Sequence, residues 1–129
     1  MKPSVHVLLV EDDAAIRDLE QVRLRRLGCK VTVQSSAPAA LEAVNADPNG
    51  YDLILTDYNM PQINGLELVS ELRQQGCGVP AILMTGYSST VSEETALSAG
   101  LNAFLRKPFG GEQLQKLLDD LLDLPQGRG

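Results

Sequence analysis

Val5 to Val10, Leu53 to Thr56 and Ala81 to Thr85 are short runs dominated by Leu, Ile, Val and Ala. Apolar runs of this length suit strands covered on both faces, as in parallel sheets. Between them, apolar residues recur at helical spacing: Ala37, Ala40, Leu41 and Val44, then Leu66, Val69 and Leu72, and finally Leu114, Leu117, Leu118 and Leu121. Lys30 to Gln34 alternates polar and apolar residues, which predicts an edge strand with one wetter face. Ala103 to Leu105 predicts a short fifth strand. Ala14 to Leu27 reads as a helix whose apolar stripe is blurred by Arg23, Arg25 and Arg26. Thr90 to Ala99 reads as a fourth helix built from poor helix formers, since Ser and Thr compete for backbone hydrogen bonds. Gly28, Gly50, Gly76 and Gly100 punctuate helix ends and loops.

Strand and helix therefore alternate through the whole chain. Parallel neighbours need right-handed helical crossovers, so this alternation predicts a doubly wound α/β sheet. The chain of 129 residues shows no internal repeat, low-complexity segment or linker. Residues 1–124 are expected to form one domain, and 125–129 a frayed tail or the start of a linker. A net charge of −6, with no basic stripe, argues against a direct nucleic-acid surface. Cys29 and Cys77 make neither a disulfide framework nor a metal-ligand cluster, which fits a reducing compartment. The N-terminal apolar run is too short for a signal or a membrane span. The expectation is a cytoplasmic protein with no membrane partner.

The stretch "LILTDYNMP" ends an apolar run on Asp57, where a buried carboxylate is costly unless something pairs with it. Polar residues stand just past the other strands too: Glu11, Asp12 and Asp13 after the first, Thr85 after the fourth and Lys107 after the fifth. Ligands of open α/β sheets bind outside the strand carboxyl ends, where the strand order reverses. With order 2-1-3-4-5 the reversal brings Glu11, Asp12 and Asp57 together. Three clustered carboxylates call for a cation, and Mg²⁺ takes carboxylates while keeping positions for water and phosphate oxygens. Lys107 adds a second cation and Thr85 a hydroxyl. A metal, an ammonium and a hydroxyl facing one carboxylate make a phosphoryl-transfer site with Asp57 as acceptor.

The segments "LLVEDD" (8–13), "LILTDYNMPQINGLEL" (53–68), "ILMTGY" (82–87) and "AFLRKPF" (103–109) together resemble the receiver domain of two-component response regulators. The resemblance runs from about Val5 to Leu122. It implies a flavodoxin-like (βα)5 three-layer sandwich with sheet order 2-1-3-4-5. It also implies that Asp57 is the phosphoacceptor, with Glu11, Asp12, Asp57 and the backbone carbonyl of Asn59 as ligands for Mg²⁺, or Mn²⁺. Lys107 matches the lysine that holds a phosphate oxygen, and Pro108 implies a cis peptide that aims it. Thr85 matches the switch hydroxyl and Phe104 the aromatic whose rotation reports phosphorylation. Asn59 and Tyr87 occupy positions that tune the lifetime of the acyl phosphate. Partners implied are a sensor histidine kinase or phosphotransfer protein and a downstream protein effector. The fourth helix, fifth strand and fifth helix form the implied output face, which can also support a homodimer. Glu11 stands where Asp is more frequent, and Asn64 stands before Gly65 where Asp is often found.

Plainer readings compete at several positions. Asp13 is better explained as a helix cap than as a ligand. Phe104 reads equally as core, and His6 as a packed or edge residue without a role. Leu114, Leu117, Leu118, Leu121 and Leu122 are broader than one core stripe and fit either core or a partner surface. The same residues bear on other functions. The domain could derive from a hybrid kinase or a multidomain regulator. An aspartyl-nucleophile phosphatase would want Asp where Asn59 stands, and a flavodoxin-like nucleotide site would not open on the anion-repelling "EDDAA". A receiver that signals without phosphorylation would not need the complete set of residues.

Overall fold

The computed structural model describes residues 5–86 and 91–122. Its strands are β1 (His6–Val10), β2 (Lys30–Gln34), β3 (Leu53–Asp57), β4 (Ala81–Thr85) and β5 (Ala103–Arg106). They alternate with α1 (Ala14–Arg26), α2 (Ala37–Ala46), α3 (Gly65–Gln74), α4 (Glu93–Ser98) and α5 (Gly111–Leu122). Every strand pairing is parallel, and the sheet order is β2-β1-β3-β4-β5. The half-polar β2 lies at one edge, as its alternation predicts.

Strand side chains alternate between faces, and the two faces build separate cores. Leu8, Val10, Ile54 and Leu83 pack with Ala40, Val44, Leu68, Leu72 and Ala96 on the side of α2, α3 and α4. Val7, Leu9, Leu53, Leu55, Met84 and Leu105 pack with Leu24, Leu114 and Leu118 on the side of α1 and α5. Burying β3 and β4 completely explains why their sequences run apolar without alternation. Leu117, Leu121 and Leu122 are partly buried against the second core, so the width of the leucine stripe on α5 belongs largely to packing.

Local chemistry fixes the helix starts. The Asp13 carboxylate accepts from the Ile16 N–H at 3.0 Å and caps α1. Asn64 and Glu67 form a reciprocal capping box at α3, each side chain accepting the other's N–H at 2.9 Å. Asn64 thus performs the capping that an Asp would. Helix α4 is shorter than the spacing predicts. It starts after a Ser92 cap rather than at Thr90, which lies outside the described residues. His6 ties β1 to its neighbours through contacts with the Gly50 carbonyl at 2.6 Å and Thr32 Oγ1 at 2.7 Å, beside the Tyr51 ring.

Gly65 opens α3 where the chain folds back onto β3. Its N–H donates to the Tyr58 carbonyl at 3.0 Å. A Cβ there would overlap the carbonyl oxygen of Asp57 and stand 2.7 Å from a Leu83 methyl. Gly65→Ala is therefore expected to lose about 2 kcal/mol of stability, since overpacking against backbone cannot relax cheaply. Urea denaturation measures this, and an unchanged midpoint would refute the close approach.

Candidate functional site

Residues 7 and 9 of β1, 53 and 55 of β3, and 105 of β5 face α1 and α5. Continuing the alternation carries Glu11, Asp57 and Lys107 to the same side at the strand carboxyl ends. Their side chains meet there. The Lys107 Nζ donates to Asp57 Oδ1 at 2.7 Å and to Glu11 Oε1 at 3.4 Å. Glu11 and Asp57 are buried, while Asp12 is exposed at the rim. One carboxylate oxygen from each of Glu11, Asp12 and Asp57 lies within 4.8 Å of the other two.

The electrostatics follow from this crowding. At an effective dielectric near 20, each like-charge pair at such a distance costs roughly 3 kcal/mol. Burial, reinforced by the Asp57 charge, pushes the Glu11 carboxyl up to about 7 against the opposing pull of Lys107. Burial also raises the Asp57 carboxyl, although Lys107 and the backbone N–H of Asn59 favour its ionised form. For Lys107, burial alone would lower the pKa, but the hydrogen bond and charge of Asp57, together with Glu11, hold it above the ordinary lysine value. One ammonium faces three carboxylates. A hard, all-oxygen donor set with surplus negative charge fits a small divalent cation.

The acidic loop is braced from below. Arg17 Nη1 donates to the Glu11 carbonyl at 3.0 Å, and the Asp13 N–H donates to Glu11 Oε2 at 3.3 Å. Beside the carboxylates a cleft of about 370 Å³ opens between Asp12 and the segment Tyr58–Pro61. The exposed Asn59 lies on its wall, and the Lys107–Pro108 peptide is cis.

Thr85 and Phe104 belong to the opposite parity. Phe104 is half-buried against the α2–α4 core, with the Arg106 guanidinium 5.3 Å from its ring centre. Thr85 ends β4 two residues after the core-facing Leu83, and its buried Oγ1 has no hydrogen-bond partner among the described residues. Glu11, Asp12, Asp57 and Lys107 are thus drawn into one cluster, while Thr85 and Phe104 sit on the neighbouring face. Tyr87 lies outside the described residues. The sequence reading gave no role to Arg17 or to Glu20 and Arg23 on α1. Their spacing of three residues, following the acidic run, was the available signal.

The response regulator receiver domain family model matches residues 7–119. Among curated proteins, the chain is 36% identical over 109 residues to an uncharacterized transcriptional regulatory protein, YkoG, of Bacillus subtilis, covering 84% of this chain and 47% of that protein. It is 31% identical over 117 residues to the response regulator SaeR of Staphylococcus aureus, covering 91% and 50%. The chain thus spans about half of these relatives, and 27% of the Escherichia coli regulator GlrR. The receiver domain of a Pseudomonas aeruginosa sensor histidine kinase, solved with magnesium in its active site cleft, superposes with a TM-score of 0.82 at 32% identity, covering 94% of this chain and 99% of that one. A Francisella response regulator receiver domain gives 0.84 at 29% identity, covering 93% and 98%. No helix among the described residues is long and apolar enough to cross a membrane. Because the family match begins within β1 and ends within α5, it takes in both cores and the acidic rim together, and the chain belongs to the receiver domains of response regulators.

Proposed function

We propose that this domain receives a phosphoryl group on Asp57 from the phosphohistidine of a sensor kinase or phosphotransfer protein. The observation that carries this is the Asp57 carboxylate, buried at 6% exposure, bonded to Lys107 and clustered with Glu11 and Asp12. An Asp57 oxygen attacks phosphorus, the P–N bond breaks, and the imidazole keeps the bonding pair. Glu11, Asp12, Asp57 and the Asn59 carbonyl would hold Mg²⁺, or Mn²⁺, which when bound supplies positive charge to the transferring phosphoryl oxygens. The Lys107 ammonium, already 2.7 Å from Asp57, takes a phosphoryl oxygen as its new anionic partner. Asp57 is the nucleophile, and the protein acts as a signalling domain that assists its own phosphorylation.

Thr85 supports the switch reading because its buried hydroxyl is a donor without an acceptor among the described residues. A phosphoryl oxygen on Asp57 offers that acceptor, drawing the β4 end inward. Phe104 shares the Thr85 face and repacks in response, shifting a pre-existing equilibrium at the α4, β5 and α5 surface. Asn59 and Tyr87 tune the decay of the acyl phosphate. The output is contact with a protein effector in the cytoplasm, or with a second copy through the same surface. A net charge of −6 disfavours nucleic acid as this domain's own partner.

Acetyl phosphate with Mg²⁺ tests the proposal directly. The expected result is metal-dependent gain of one phosphoryl group, with borohydride reduction converting residue 57 to homoserine. Label at another residue, or none in the presence of Mg²⁺, would overturn it.

A further inference from the structure

Helical spacing places Glu20 on the core side of α1, four residues after Ile16 and four before Leu24. Apolar residues normally occupy such positions, yet Glu20 is only 3% exposed. Its Oε2 lies 3.6 Å from Arg23 Nη1, while Oε1 has no hydrogen-bond partner among the described residues. Arg23 uses the same Nη1 to donate to the Phe109 carbonyl at 2.9 Å, and its guanidinium lies 5.4 Å from the centre of the Phe109 ring. Glu20, Arg23 and Lys107 share the walls of a cavity of about 180 Å³, closed by Ile16, Leu19 and Pro108.

A buried carboxylate that a leucine could replace is a poor stability device, because removing both ions of such a pair is often neutral or stabilising. Its location suggests what it does instead. Phe109 comes two residues after Lys107 and is followed by Gly110 and Gly111, which have no side chains with which to anchor the segment. Arg23 grips that segment by its backbone and by its ring, and Glu20 fixes Arg23 from the core side.

We propose that Glu20 and Arg23 are positioning residues for Lys107, clamping the β5–α5 segment so that the ammonium stays between Glu11 and Asp57. The role rests on the phosphoacceptor reading above, in which Lys107 must meet the incoming phosphoryl group. Precise placement of a charged group is worth far more in the transition state than in the resting fold. The clamp therefore acts on rate rather than on stability.

The test uses Glu20→Leu and Arg23→Met in the full chain, with Glu20→Gln as the shape-conserving control. Melting is expected to stay at or above the wild-type temperature when Glu20→Leu and Arg23→Met are combined, which removes both charges of the pair. Labelling by acetyl phosphate is expected to slow about tenfold in all three. Reductive methylation of Lys107, read by peptide mass spectrometry, is expected to quicken about fivefold as the ammonium leaves its carboxylates. A merely structural pair would move melting and leave Lys107 reactivity alone. Wild-type labelling and wild-type Lys107 reactivity in these variants would overturn the inference. If wild-type protein takes no label, the phosphoacceptor reading fails, and the Lys107 reactivity still decides whether the clamp exists.

Discussion

Asp57→Asn is expected to abolish labelling by acetyl phosphate, by more than about a hundredfold, because an amide has no anionic oxygen to attack phosphorus. The fold should survive the change. Asp57 sits at the end of a fully buried strand, but its carboxylate faces Glu11 and Asp12, and burial already favours its neutral form. An amide of the same shape removes one of three crowded charges, and Lys107 keeps Glu11 at 3.4 Å as a partner. The variant should therefore melt no lower than the wild type while losing the reaction. Residual labelling at a wild-type rate would place the acceptor elsewhere, and collapse of the fold would contradict the electrostatic account of the site. The paired readout matters because a destabilised variant would lose activity for an uninformative reason.

The strands were legible because complete burial leaves no room for alternation. β4, Ala81–Thr85, has the bounds its sequence predicts, and β3 differs only by including Asp57. The site was legible for a related reason. Once the order of the sheet is given, any polar residue just past a strand must stand at one rim, so Glu11, Asp57 and Lys107 can be brought together without knowing a single side-chain angle. Charge itself was misleading on α1. A pattern reading assigns Glu and Arg to the solvent face, so Arg23 blurred the stripe and Glu20 did not stand out as a contact. Helix α4 was overextended at its start because sequence alone did not single out Ser92 as the cap among neighbouring hydroxyls. Distances were out of reach of any pattern. That Lys107 lies nearer Asp57 than Glu11, and that the Thr85 hydroxyl lacks a partner among the described residues, depends on packing between elements far apart in the chain.

The raised carboxyls also make stability fall with pH when metal is absent, the reverse of what ordinary paired carboxylates give. Glu11 moves from 4.5 to about 7 on folding, so between those values the folded state binds more protons than the unfolded state. Stability then decreases as pH rises. Its contribution is fully present below the unfolded value and is lost as pH passes the folded one. Asp57 and Glu20 are raised as well and act in the same direction. Lys107 and Cys29 are raised too, but from 10.5 and 9.0, so their losses begin above the neutral range. Glu11 alone is worth about 3 kcal/mol between pH 5 and 8, at roughly 1.4 kcal/mol per pKa unit. Mg²⁺ should cancel the decline, because a cation among ionised carboxylates binds only the folded site and adds about 2.7 kcal/mol at a hundred times its dissociation constant. Its affinity should rise through pH 7, since binding must release the proton held by Glu11. Urea denaturation at pH 5, 6, 7 and 8, in EDTA and in Mg²⁺, reads both effects. Stability that climbs with pH in EDTA, or curves that coincide with and without Mg²⁺, would mean that the three carboxylates do not share one site.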